Sequence, residues 1–119
     1  MKLQDIQAVY FIGAGGIGMS ALVRYFHHKG LVVAGYDKTP TDLTRRLEKE
    51  GIQLHYEDNI NLIPDVCKNP STTLVVYTPA IPNTHRELIY FRENHLEIEK
   101  RAQVLGRLTQ THKGPVSST

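Results

Sequence analysis

The sequence predicts an α/β fold, a mainly parallel five-stranded sheet with helices on both faces. Three observations carry that expectation. Short runs of β-branched and aromatic residues alternate along the chain with stretches of helical periodicity. Gly13, Gly15, Gly16 and Gly18 crowd into the six positions that follow the first such run. An acidic residue, Asp37, closes the second run nineteen positions beyond Gly18, the order in which strand, phosphate-cradling turn, helix and ribose-binding carboxylate are written.

Gln7 to Ile12 is the first strand, and its unbroken apolar character is that of a central strand buried on both faces. In the loop that follows, Gly13 permits a tight turn, Gly15 lets backbone approach a pyrophosphate, and Gly18 lets the next helix pack closely on the sheet. That helix, Gly18 to Lys29, aligns Met19, Leu22, Val23 and Phe26, and Gly30 stands where a helix C-terminus favours it. Leu31 to Tyr36 is the second strand. Thr39-Pro40-Thr41-Asp42 reads as a helix start, with a threonine N-cap ahead of proline at the first helical position and a carboxylate in the first turn. The helix runs to about Glu50 with Leu43 and Leu47 on one face, and Gly51 ends it.

Ile52 to His55 is a short third strand. From Tyr56 to Thr72 asparagines and prolines interrupt every pattern, leaving one irregular helical turn or two in which Ile60, Leu62, Ile63 and Val66 cover the sheet. Thr73 to Tyr77 is the fourth strand. Thr78-Pro79-Ala80-Ile81-Pro82 then lies at the carboxyl edge of the sheet, either as a binding loop or as a stiff connection. Thr84-His85-Arg86-Glu87 has the form of a capping box for the next helix, which carries Leu88, Ile89 and Phe91 and ends at Asn94-His95. Glu97 to Glu99 is a fifth, edge strand. The last helix opens near Arg101, aligns Val104, Leu105 and Leu108, and runs toward Thr111 before Lys113-Gly114-Pro115. This order of elements requires right-handed crossovers and describes a Rossmann-like domain over residues 1–113. Residues 114–119 form a mobile tail of native or vector origin.

Fourteen basic and twelve acidic residues leave a formal charge of +2, scattered along the chain, which argues against a nucleic-acid surface. Cys67 is the single cysteine, so neither an intrachain disulfide nor a cysteine-based zinc site is available, and a buried thiol is expected. The six histidines show no ligand spacing with carboxylates, and no metal site is assigned. His27 and His28 instead suit the C-terminal end of a helix dipole. No apolar run approaches a membrane span and no export signal precedes the first strand, which points to a cytoplasmic protein without membrane contact. A G-x-x-x-x-G-K-[ST] loop is absent, so ATP has no P-loop seat in these 119 residues.

The run Gly13-Ala14-Gly15-Gly16-Ile17-Gly18-Met19-Ser20-Ala21-Leu22 resembles the amino-terminal signature of the UDP-N-acetylmuramate:L-alanine ligases, within the amino-acid-adding ligases of bacterial peptidoglycan synthesis. Gly35-Tyr36-Asp37, Thr78-Pro79-Ala80-Ile81 and Lys100-Arg101-Ala102-Gln103-Val104-Leu105 agree with it in order. The resemblance implies that this chain binds UDP-N-acetylmuramate, while central and carboxyl-terminal domains bind ATP with magnesium and place the amino acid. In such enzymes ATP phosphorylates the muramate carboxylate and the alanine amine attacks the acyl phosphate. No catalytic residue and no cofactor are assigned to this stretch, which is expected to be inactive alone.

Carried over by resemblance, backbone N–H groups of Gly15, Gly16, Ile17, Gly18, Met19 and Ser20 hold the diphosphate, with the Ser20 hydroxyl as a further donor. Asp37 faces ribose or uracil, and a solvated turn aspartate is its bland alternative. Thr78, Ala80 and Ile81 line the nucleotide or sugar side, and Arg101 supplies charge near the phosphates unless it is merely an exposed cation. A related ligase that recycles cell-wall tripeptide is a second reading within this class. Gly13, Gly15, Gly18 and Asp37 equally fit an NAD-binding regulatory or dehydrogenase module, and a domain that binds neither ligand is a third reading.

Overall fold

The computed structural model describes residues 2–111. The expected tail, 114–119, lies outside them. A 3₁₀ turn at Leu3–Asp5 leads into β1 (Ala8–Ile12), α1 (Ile17–His28), β2 (Val32–Tyr36), α2 (Asp42–Lys49) and β3 (Gln53–His55). Two 3₁₀ turns, Ile60–Leu62 and Asp65–Lys68, then precede β4 (Thr73–Tyr77), α3 (Arg86–Glu93), β5 (Glu97–Lys100) and α4 (Arg101–Thr111). The five strands run parallel in the order β3-β2-β1-β4-β5.

Register decides what meets at the carboxyl edge. Ile12 stands opposite both Tyr36 and Tyr77, Tyr36 opposite His55, and Tyr77 opposite Lys100. The strands therefore end level, and the residues that leave them, Gly13, Asp37, Thr78 and Arg101, emerge in one row. The strand order reverses at β1, between β2 and β4, which is where open parallel sheets form a ligand crevice.

Alternation along buried strands divides the core in two. Val9, Phe11, Leu74 and Val76 pack with Met19, Leu22, Val23 and Phe26 of α1, Leu47 of α2 and Val104 of α4. Ala8, Tyr10, Ile12 and Val75 face the other way, onto Ile63, Cys67, Leu88 and Phe91. All five residues of β1 are buried, as its apolar run predicts. Each large side chain so buried stabilises the fold by ~1.5–3 kcal/mol.

Several local expectations are corrected. The N-cap of α2 is Thr41, in a reciprocal box with Thr44. Thr39 does not cap; its N–H donates to Asp37 Oδ1 at 3.0 Å. The Thr84–Glu87 box is not formed either: His85 is the N-cap of α3 and makes no side-chain capping bond. Asp58 caps that helix from the preceding loop, its Oδ2 accepting from Arg86 N–H at 2.9 Å and its Oδ1 from Glu87 N–H at 3.0 Å. In the 56–72 segment Ile63 is buried while Ile60, Leu62 and Val66 stand exposed, because 3₁₀ turns separated by Pro64 present no continuous helical face. Leu105 is likewise exposed, leaving Val104 and Leu108 as the packing residues of α4. Gly13 and Gly30 do take left-handed φ values, +96° and +86°, as their turn roles require.

Candidate functional site

The site is built where β1 turns into α1. After Ile12 the chain reverses through Gly13, whose N–H donates to the Tyr36 carbonyl at 2.8 Å, as does that of Ala14 at 3.0 Å. Gly16 is the N-cap of α1, with extended backbone. The first-turn amides of Ile17, Gly18 and Met19 therefore have no intrahelical acceptor by position, and the dipole of a twelve-residue helix adds partial positive charge there.

Three of the six expected diphosphate donors are already engaged. Gly15 N–H donates to Asp37 Oδ2 at 2.7 Å, Gly16 N–H to the Gly13 carbonyl at 3.2 Å, and Ser20 N–H to the Gly16 carbonyl at 2.8 Å. The Met19 and Ser20 side chains are buried. Available backbone donors narrow to residues 17–19.

Asp37, expected to face ribose or uracil, is held by the backbone of the glycine turn and of its own loop. Its Oδ2 accepts from Gly15 and its Oδ1 from Thr39. A Cβ at Gly15 would stand 2.6 Å from Asp37 Oδ2 and 2.7 Å from Thr44 Cγ2, so protein atoms already occupy the space its hydrogen leaves. Gly18 also differs from expectation. It is exposed rather than pressed on the sheet, and a Cβ there would meet Arg101 Nη1 at 3.0 Å and Cζ at 3.1 Å.

Arg101 is the first residue of α4, and the level register of β4 and β5 delivers it beside the α1 terminus. Among the described residues no carboxylate pairs with it. A half-buried guanidinium thus lies against the positive end of a helix, an arrangement that repels itself unless an anion is shared. On the other flank, a Cβ at Gly13 would lie 3.6 Å from Thr78 Oγ1 and 3.8 Å from Ile81 Cδ1, placing both over the turn. Ala80 is exposed in that loop.

Sequence reasoning missed a polar cluster beneath the site. Glu87 is fully buried. Its Oε1 accepts from Tyr10 OH at 2.5 Å, while Oε2 accepts from Asn59 N–H at 3.1 Å and lies 2.7 Å from His55 Nε2. A signal was available in Tyr10, since a tyrosine inside a doubly buried strand must find a partner for its hydroxyl. Burial and the Glu87 carboxylate push that hydroxyl far above its ordinary range. Thr44 was missed as well; it is buried, and both the α2 cap and the fit around Gly15 depend on it.

The model of the Mur ligase family, catalytic domain, matches residues 8–113. The chain belongs to the Mur ligase family. Within it, this Mur ligase chain is 60% identical over 114 residues to the UDP-N-acetylmuramate--L-alanine ligase of Phocaeicola vulgatus, covering 96% of this chain and 25% of that protein. Identity to the ligase of the same name from Parabacteroides distasonis is 59% over 114 residues, with the same coverage of 96% and 25%. Among solved structures, the UDP-N-acetylmuramate-alanine ligase of Thermotoga maritima superposes with a TM-score of 0.79 at 28% identity, over 89% of this chain and 23% of that one. The chain spans about a quarter of the length of these curated relatives. The family match does not favour the NAD-binding alternative. No described helix is long and apolar enough to cross a membrane.

Proposed function

We propose that this chain forms the UDP-N-acetylmuramate-binding part of a cytoplasmic, ATP-dependent ligase that joins L-alanine to the muramate carboxylate. The observation that carries this reading is the Arg101 guanidinium over Gly18 at the amino terminus of α1, in a chain whose relatives bear that ligase name. A diphosphate bound there accepts hydrogen bonds from the Ile17, Gly18 and Met19 amides and a charge-assisted pair from Arg101. Gly15, Gly16 and Ser20 shape the turn that aims those donors.

Thr78 and Ile81, over Gly13, supply a hydroxyl and an apolar wall for the nucleotide or sugar, with Ala80 at the rim. Asp37 retains acceptor capacity after its two backbone bonds, since a carboxylate offers about four lone-pair sites, and a ribose hydroxyl or uracil N–H suits the remainder. ATP and magnesium are assigned to other parts of the longer protein, because the sequence here carries no G-x-x-x-x-G-K-[ST] loop to cradle the phosphates. Their binding, and placement of the amino acid, fall to the central and carboxyl-terminal domains of the longer protein.

Calorimetric titration of the 119-residue chain with UDP-N-acetylmuramate and, separately, with NAD tests the reading. Saturable heat is expected with the first. Heat with NAD alone would overturn it.

A further inference from the structure

The buried cluster around Glu87 is joined to the glycine turn by an unbroken series of hydrogen bonds. Glu87 Oε2 lies 2.7 Å from His55 Nε2; the His55 carbonyl accepts from Asp37 N–H at 3.1 Å; Asp37 Oδ2 accepts from Gly15 N–H at 2.7 Å. We propose that Glu87 is a positioning residue, setting the glycine turn of the anion site through His55 and Asp37.

Two facts separate this role from ordinary support of the fold. The start of α3 is already capped by Asp58, so Glu87 is not needed there. A fully buried carboxylate is costly unless several donors satisfy it, and an apolar residue at that position would avoid the cost. What Glu87 gains by being there is a hold on His55, the last residue of the three-residue strand at the sheet edge. An edge strand that short has little of its own to fix its end. Tyr10 and Asn59 fix the carboxylate, the carboxylate together with the Tyr10 hydroxyl, 2.9 Å from Nε2, fixes the His55 ring, and the His55 backbone sets Asp37. Asp37 then holds Gly15 immediately before the exposed amides of α1.

The proposal is tested on the ligand-free chain by amide NMR of Glu87→Gln, with Tyr10→Phe as a milder second variant and Leu96→Ala, buried outside the series, as a measure of stability loss alone. The Gly15 and Asp37 amides are expected to shift in the first two variants and not in the third. Unmoved Gly15 and Asp37 amides alongside a displaced His55 amide would end the series at β3 and overturn the proposal. A double-mutant cycle on Glu87→Gln and Asp37→Asn adds a readout that simple support would not move: additive effects on the Gly15 amide shift refute coupling, and non-additive ones support it. The ligand arm rests on the function proposed above. There Glu87→Gln should weaken UDP-N-acetylmuramate binding by roughly tenfold beyond any change in Leu96→Ala, and equal affinities count against positioning. Failure of the unaltered chain to bind that nucleotide would sink the functional reading, while the amide shifts would still decide on the series.

Discussion

Arg101 lies against Gly18 so closely that a single added carbon at Gly18 would stand 3.0 Å from its Nη1. The obstacle is the far end of a flexible side chain, so Gly18→Ala should be tolerated by the fold, and helix propensity favours alanine, by less in this first turn than the ~1 kcal/mol of a helix interior. At the anion site the same methyl displaces the guanidinium. The expected result is opposite in sign for the two measurements: a melting temperature equal or higher, and weaker UDP-N-acetylmuramate binding by calorimetry. Arg101→Ala should lower affinity roughly tenfold to a hundredfold, the value of a hydrogen bond to a charged group, and reduce its sensitivity to salt. Unchanged affinity in both variants would remove Arg101 from the site.

At Gly15 the obstacles are firmer. Asp37 is pinned by two backbone donors, and Thr44 belongs to the first turn of α2. Gly15→Ala is therefore expected to destabilise by ~1–3 kcal/mol, as overpacking does. Thr44→Ser removes the Cγ2 that a Gly15 Cβ would meet at 2.7 Å while keeping the hydroxyl of the capping box. Urea denaturation of the pair should show Thr44→Ser recovering part of the Gly15→Ala loss. Strict additivity would mean that the two positions do not collide.

Asp58 and Thr84 offer a direct comparison of two caps for α3. Asp58→Ala removes acceptors for two first-turn amides and should cost ~1–2 kcal/mol. Thr84→Ala, at an exposed residue with no capping bond, should stay within ~0.5 kcal/mol. Hydrogen exchange at the Arg86 and Glu87 amides should quicken only in the first variant. The reverse pattern would restore the local capping box.

That comparison also marks the boundary of what local sequence conveys. Buried parallel strands such as Ala8–Ile12 and Thr73–Tyr77 announce themselves because both faces must be apolar, and Gly13 because its φ of +96° suits little else. The Asp58 cap was invisible, since an acceptor 28 residues upstream leaves no mark on the helix it serves. Glu87 was equally hidden: in sequence it reads as the closing member of a Thr84–Glu87 capping box, and only the fold carries it to Tyr10 and His55. Gly18 reads in sequence as a close-packing position against the sheet, whereas what a Cβ there would meet is the Arg101 side chain at the start of α4, far along the chain. Composition and periodicity report on the layer a residue joins. They say little about which distant side chain completes its surroundings.

Cys67 gives a prediction that needs no ligand. It is buried in the core facing α3, and burial pushes its thiol from the ordinary 9.0 up to about 12. In the unfolded chain the thiol ionises from pH 9 upward, whereas in the folded chain it keeps its proton to near pH 12. Between those values the folded state binds more protons, so stability falls as pH rises, by ~1.4 kcal/mol per pH unit from this group. Tyr10, also raised by burial and by Glu87, adds a fall of the same sign above pH 10. Cys67→Ala should lose ~1 kcal/mol to the small cavity at pH 8, yet decline less steeply than the unaltered chain between pH 9 and 10.5. Urea denaturation at pH 8, 9.5 and 10.5 measures both slopes. Parallel slopes would show that the thiol ionises as readily in the core as in water.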